Sequence, residues 1–474
     1  MPPPASRPAA ALSRLRGALS RSLFPAGDPS RSFGRLEAAI LIVALLALAT
    51  VLSLLRLGLS TSLNTVWAED GPIYLQAALS QGFWDALFSP YAGYLVLVPR
   101  LIGEAGAAVP LQQAAATISI VSALVAALSG LAVWFASAGH IRDPYLRGAL
   151  AIATVLAATA GQETLNSAAY APWFMLVAAF WLLFFRPRGL SAAILAGLFL
   201  LATGLSTPGV WFFLPLAALR AVTAANKRDA ILVGGYAVGA AVQVPVVLGQ
   251  QQDPGLWTSN IWTAYLQRVV DSGIFGERLG GNLWEHFGWT FLTLFCIALL
   301  IALLVGLWRT TPGGRWFAAV AIPTSALMFF VSVYQRTVAD NIFWSIGDSG
   351  GTASRYVMVP ALLMLSALVV VLDGAIRRQG RAWRWWLAAP AVGVILLAVA
   401  VSFDMSGDGR GGPPWDEALR AAANKCVSQG EELAGIATAP EPFGVQVPCS
   451  DVASYADPGV GALPESGIGE DATP

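Results

Sequence analysis

The chain has 474 residues, of which 56% are hydrophobic and 12% charged, with a net charge of zero and a mean hydropathy of +0.64. Soluble domains carry roughly 25% charged residues, so a globule of this size could not cover its surface with the charge available. The balance excludes a soluble multidomain enzyme, a disordered scaffold and a disulfide-rich secreted domain, and the absence of net positive charge excludes a basic nucleic-acid binder.

In chain order, residues 1–35 are rich in Pro and Arg and run into the first apolar block with no signal-peptide cleavage site. They read as a flexible cytoplasmic tail. Apolar blocks of about 15–25 residues, the length needed to cross a hydrocarbon core of roughly 30 Å, predict about eleven spans. They fall at 36–58, 111–138, 148–160, 171–186, 190–206, 208–224, 230–249, 288–308, 316–334, 354–373 and 385–403. The fold class is therefore an all-α polytopic membrane protein with its membrane domain at 36–403. Between the first two spans, residues 59–110 mix apolar and polar positions at helical spacing and predict short helices along the outer membrane surface. Further long external segments fall at about 250–287 and 335–353. Residues 404–474 form a small, acidic, extracytoplasmic C-terminal tail, expected to lie apart from any site.

Charge sets the orientation. Arg7, Arg14, Arg16, Arg21, Arg31, Arg35, Arg142, Arg147, Arg186, Arg188, Arg220, Lys227, Arg228, Arg309, Arg315, Arg377, Arg378, Arg381 and Arg384 all fall on alternate connections. The positive-inside rule makes that face cytoplasmic. The N-terminus is then cytoplasmic, and an odd number of spans places the C-terminus outside. Nearly all the basic residues are Arg and only Lys227 and Lys425 are Lys, a codon bias of GC-rich bacteria. The expected location is a bacterial plasma membrane. Cys426 and Cys449 both lie in the exported tail, where a disulfide persists, and are expected to be bridged. Cys296 lies inside a span.

No nucleotide-binding loop and no metal-ligand spacing is present, and His140 and His286 are the only histidines. The cytoplasmic connections are too short for a nucleotide-binding domain. Any chemistry therefore works at the exported face, with a donor that reaches it through the bilayer. The sharpest motif there is Trp67-Ala68-Glu69-Asp70-Gly71-Pro72. Adjacent carboxylates repel, which raises at least one pKa into the range of a general base. The alternative is an acidic turn, with Asp70 capping the helix that follows.

A span entering from the cytoplasm, a long first external loop with surface helices, and an acidic pair just after the span resemble the GT-C superfamily. Its members are membrane glycosyltransferases using polyprenyl-phosphate-linked sugars. The resemblance implies a sugar transfer at the extracytoplasmic face, with Asp70 or Glu69 as the base on the acceptor and Asp70 the preferred one. The implied partners are a polyprenyl-phosphate sugar donor, membrane lipids, and a cell-envelope glycan, lipid or protein acceptor. A lipid phosphate is already a good leaving group. One base and a few cations on the phosphate therefore suffice, and direct displacement gives inversion.

External cations are few. Arg355 follows Gly350-Gly351-Thr352-Ala353-Ser354 and precedes Tyr356 at the outer end of a span. A guanidinium there meets phosphate as a planar fork, or else snorkels and pairs with Asp348. Arg100 and Arg336 are further candidates for the donor phosphate, although Arg100 has Glu104 four residues on as an ordinary helix-face partner. Trp67, Gln162, Glu163 and Tyr356 are candidates for holding the substrate. Glu69 and Asp70 are also the kind of oxygen ligands that a divalent cation takes, but no third ligand is evident and no metal site is assigned. Two other functions compete. A glycan polymerase or ligase of the O-antigen ligase type would use Arg336, Arg355 and His286, and a lipid-linked-sugar flippase would need charges inside several spans.

Overall fold

The computed structural model describes residues 16–27, 34–224, 226–249, 261–336, 354–379, 381–406 and 410–458. A short helix, α1 (16–23), precedes the first long apolar helix, α2 Arg35–Leu55. The first external segment carries α3 Leu59–Leu63, α4 Gln76–Ser80, α5 Phe83–Phe88 and α6 Leu97–Ala107. Then follow α7 Ala114–Ala136, α8 Pro144–Val155, α9 Ala171–Phe184, α10 Leu190–Gly204, α11 Leu214–Thr223 and α12 Lys227–Leu248. Helix α13 Ile261–Ala264 continues through a π-helical turn at Tyr265–Asp271 into α14 Ser272–Arg309, which breaks at Gly276 and Gly288, both at positive φ. The bundle closes with α15 Pro312–Arg336, α16 Arg355–Gln379 and α17 Arg381–Val401.

The chain is an integral membrane protein, but eleven full spans are not what the helices give. Among the described residues, 6 helical stretches are long and apolar enough to cross a membrane. They include α2, the stretch containing α7, α12, the broken Ile261–Arg309 segment, α15 and α16. The expected spans at 148–160, 171–186, 190–206 and 208–224 correspond to shorter helical stretches, whereas the one at 385–403 falls on α17, which has 21 residues. At about 1.5 Å per residue, a 14- or 15-residue helix falls short of a ~30 Å core. Such elements are tolerated where protein, not lipid, surrounds the backbone that remains. α9 fits this condition: all but one of its residues are buried, and Trp181, Phe180, Phe184 and Phe317 form one aromatic cluster. α2 and the second half of α14 instead expose Leu36, Ile40, Val43, Leu300, Leu304 and Trp308, the side expected to face lipid.

Close helix crossings come from glycine. α10 lies along α12, with Gly197 against Gly235 and Gly204 against Gly239, leaving no room for a Cβ at those positions.

Hydrogen bonds sort the connections into the two sets that the charges predict. In the basic set, Arg377 donates to the His140 carbonyl (3.0 Å), and Asp373 accepts from the Arg142 and Asp143 amides. Part of the expected flexible tail belongs to this set. Leu23 and Phe24 are buried, His140 bonds the Leu23 carbonyl, and the Arg220 guanidinium lies 4.9 Å from the Phe24 ring centre. Residues 16–27 are therefore docked, because two apolar side chains fill the end of the bundle. In the other set, Arg56 at the end of α2 donates to the Ser402 carbonyl (3.0 Å), and Gln243 on α12 bonds Leu95.

The C-terminal segment folds as a lobe. Helix α18 Trp415–Gln429 packs on an antiparallel pair, β1 Leu433–Ala437 and β2 Gly444–Pro448, paired from Leu433↔Pro448 to Ala437↔Gly444 and followed by α19 Cys449–Val452. Cys426 and Cys449 are joined by a disulfide, Cα–Cα 5.6 Å, across the lobe. Both strands alternate, burying Ala434, Ile436, Val445 and Val447. That face shares one core with Trp415 and Leu419 of α18, Tyr74 and Ile102 of the segment between α2 and α7, Ala168 just before α9 and Met175 in its first turns. The lobe is thus not a separate tail but a cap on the first external segment.

Candidate functional site

The acidic motif is held from two sides. On one side the lobe pairs with it as a strand would: Ala68 N donates to the Ala439 carbonyl (2.5 Å) and Ala439 N to the Val66 carbonyl (3.0 Å). Asn64 and Asp416 reinforce this pairing, with the Asn64 amide donating to Asp416 Oδ1 (2.5 Å) and Asp416 N to Asn64 Oδ1 (3.0 Å). Gly71 is needed for the close approach, since a Cβ there would meet Thr438 at 2.9 Å and Val445 at 3.1 Å. Ala68 takes a positive φ of 45°, unusual for a residue with a side chain, and so the acids enter a tight turn at Ala68–Asp70.

On the other side stands the irregular connection between α8 and α9. Asp70, 1% exposed, accepts from Ser167 Oγ (3.0 Å) and Ala169 N (3.0 Å) at Oδ1 and from Ala168 N (3.1 Å) at Oδ2. The connection is itself fixed by Asn166, at φ 50°, whose side chain bonds Ser53 at the end of α2 and Ser62 on α3. Burial pushes the Asp70 carboxyl up to about 7, against the pull of its three donors and of Arg410. The cause is loss of water and not repulsion by Glu69, as the adjacency in sequence suggests.

Glu69 is placed differently. It is half-buried, and its Oε2 has no hydrogen-bond partner. Its charge reaches Tyr170 and Tyr74.

Arg355 joins the same place from the start of α16. Its Nη1 donates to Tyr170 Oη (2.8 Å) and lies 3.8 Å from Glu163 Oε2, and its guanidinium lies over the Tyr356 ring at 5.1 Å. Glu163 Oε1 accepts from the Arg355 amide (3.2 Å) and from Ser354 Oγ (3.0 Å). Asp348, the partner weighed from sequence, lies outside the described residues, as do Gly350–Ala353.

Trp67, Glu69, Asp70, Gln162, Glu163, Arg355 and Tyr356 are therefore linked through Tyr170 and the 161–169 connection. Arg100 stands behind them. Its Nη1 donates to the Ile73 carbonyl (2.5 Å) and its guanidinium lies over Tyr74 at 5.4 Å, where it supports the segment after the acids. Arg336 ends α15, and its side chain lies outside the described residues. His286 sits exposed on α14 with Nδ1 against the Asn282 carbonyl (2.8 Å). Among the described residues no group of three or more His, Cys, Asp or Glu is placed to hold a metal ion.

Two residues were not singled out from sequence. Tyr170 accepts from Arg355, feels the charge of Glu69 and follows Ala169, whose amide bonds Asp70, and it carries no local signal. Arg410 comes from the start of the lobe. It is 4% exposed, donates through Nη2 to the Gln162 (3.2 Å) and Leu165 carbonyls, and lies 4.9 Å from the Trp67 ring centre. Its signal in the sequence was its place on a face otherwise poor in cations. Several buried polar atoms of this cluster lack partners: Trp67 Nε1, Glu69 Oε2, Gln162 Oε1, Arg355 Nε, and Arg410 Nε and Nη1. Buried polar groups are ordinarily bonded, so a polar group entering here would find donors and acceptors open to it.

The chain matches no protein-family model, and no curated protein matches it. Among solved structures it is similar to the oligosaccharyltransferase of Archaeoglobus fulgidus, tethered through a disulfide to an acceptor peptide containing the NVT sequon. The identity is 16% and the TM-score 0.34, over 81% of this chain and 57% of that one. The chain thus spans little more than half the length of that protein.

Proposed function

We propose that the protein is a membrane glycosyltransferase that moves a sugar from a polyprenyl-phosphate donor to an acceptor at the extracytoplasmic face, with inversion. The observation that carries this reading is one cluster at one end of the bundle. It combines a carboxylate with an unpartnered oxygen, two guanidinium groups and buried donors and acceptors without partners. Glu69 takes the proton from an acceptor hydroxyl. The acceptor oxygen attacks the anomeric carbon, the bond from that carbon to the phosphate oxygen breaks, and the electron pair leaves on the lipid phosphate. Arg355 stabilises that growing charge. Asp70, with both oxygens engaged, holds the turn that presents Glu69. Trp67, Gln162 and Glu163 line the place where the sugar sits. The test is transfer of a labelled sugar from a synthetic polyprenyl-phosphate donor by the purified protein in nanodiscs. No transfer to any glycan, lipid or peptide acceptor, with movement of the donor across the bilayer instead, would favour transport.

Transport has one observation on its side. Asp271 is fully buried with neither carboxylate oxygen partnered, near a buried Arg268–Glu277 pair at 2.9 Å. The same donor in sealed vesicles separates the two readings.

Two expected results follow from the placement of the site. A reporter active only outside the cytoplasm, fused near residue 458 at the end of the lobe, should be active. Cytoplasmic activity there would invert the orientation and remove the exported donor site. Arg355→Ala should weaken donor binding about 10–100-fold, the range of a lost charge-assisted hydrogen bond, whereas Arg355→Lys keeps the charge but not the fork and should retain part of the affinity. Unchanged donor binding by the alanine variant would make Arg355 a structural partner of Glu163 and Tyr170 alone.

A further inference from the structure

Arg410 reaches the acidic motif from more than 300 residues away in sequence, and nothing in the fold of the lobe itself requires it. Arg410 precedes the β1–β2 pair, α18 and the disulfide, and the apolar core that these share with Tyr74, Ile102 and Met175 does not include it. The guanidinium is spent on the membrane domain, where Nη2 bonds the 161–169 connection and the plane lies over Trp67. That leaves Nε and Nη1 buried without a partner. These atoms belong to a cation that has given up nearly all contact with water. A buried guanidinium with open donors is costly unless an anion or other acceptor completes it. Asp70 is near enough to feel its charge, but its hydrogen bonds go to Ser167, Ala168 and Ala169. Trp67 Nε1, a further open donor, belongs to the ring beneath the guanidinium. Arg355 is engaged by Glu163 and Tyr170 and is part-exposed, as suits a first contact at head-group level.

We infer that Arg410, with Trp67 Nε1, is a second anion-binding group whose open Nε and Nη1, pointing in different directions, each take an acceptor oxygen, one of them from a phosphate, so that the C-terminal lobe supplies part of the donor site. The ligand chemistry is a phosphate monoanion or dianion, either a polyprenyl phosphate head group or free inorganic phosphate. The inference rests on the proposed glycosyltransferase reading and extends it, since it makes the lobe part of the donor site.

The experiment uses the full chain in nanodiscs, with sugar-free polyprenyl phosphate as one probe and inorganic phosphate as the other, and reads retention by native mass spectrometry and by the shift in melting temperature. Wild type should retain the lipid phosphate, and Arg410→Gln should lower its affinity about tenfold or more. Arg410→Lys, melting as wild type does, is the second variant. It keeps the charge but cannot hold the 161–169 carbonyls and offer a further planar N–H at the same time, and should bind several-fold more weakly. Wild-type affinity in a folded Arg410→Lys and Arg410→Gln pair overturns the inference and leaves Arg410 a structural link between lobe and connection. If wild type binds inorganic phosphate in an Arg410-dependent way but not the lipid, Arg410 is an anion site and the polyprenyl reading falls. If wild type binds neither probe, both fall.

Discussion

Glu69→Gln is expected to lower sugar transfer by about 10²–10⁴-fold, the contribution of a positioned general base, while donor binding and melting temperature stay close to wild type. The side chains are nearly isosteric, and Glu69 Oε2 has no hydrogen-bond partner that the amide would lose. Its Oε2 is the carboxylate oxygen of the acidic pair left without a partner, and its surroundings include Tyr170, which connects it to Arg355. The measurement is single-turnover transfer from a polyprenyl-phosphate sugar at saturating donor, alongside donor affinity. Transfer within about threefold of wild type would end the role of Glu69 as base, because even weak general-base catalysis contributes about 10²-fold. A fall in donor affinity with unchanged single-turnover rate would instead make Glu69 a binding group for the sugar.

How much of this was legible in the sequence depends on whether the signal is local. The acidic pair, Arg355 at the start of a long apolar helix and the two C-terminal cysteines announce themselves within a few residues, and each is found in a defined setting: a tight turn, an ion pair with Glu163, and a disulfide. The alternating charge of the connections also survives as two sets of mutual hydrogen bonds. What could not be read is which distant segments meet. Trp67 pairs with Ala439, Asp70 with the 167–169 amides, and Trp67 with Arg410, and no periodicity encodes these pairings. Which carboxylate is tied down was hidden for the same reason, since two of the three donors to Asp70 are backbone amides, which have no residue identity. Apolar run length alone does not separate a buried 14-residue helix such as α9 from a longer exposed apolar one, since the two read alike in composition.

Asp70→Ala should be the most destabilising substitution at the site, costing about 3–5 kcal/mol in detergent unfolding. It strips partners from Ser167 Oγ and two amides at once and leaves Arg410 buried without the carboxylate that offsets its charge. Asp70→Asn separates hydrogen bonding from charge. Its single acceptor oxygen can serve Ser167 and Ala169, but its NH₂ faces the Ala168 amide, donor to donor, so a smaller loss is expected. The pH dependence follows from burial. The folded carboxyl, at about 7, lies above its ordinary value of 3.8, so the folded state binds this proton more tightly than the unfolded state does. Stability from this group is complete at low pH and is lost as pH rises from about 4 to about 7. The asparagine variant cannot titrate. The advantage in stability of wild type over Asp70→Asn should therefore be greatest at or below about pH 4 and shrink or reverse towards pH 8. An advantage that grows with pH would mean that the three donors and Arg410 outweigh burial and hold Asp70 ionised. Asp70 would then be a fixed negative charge beside Glu69, and the acceptor proton would have to leave against it.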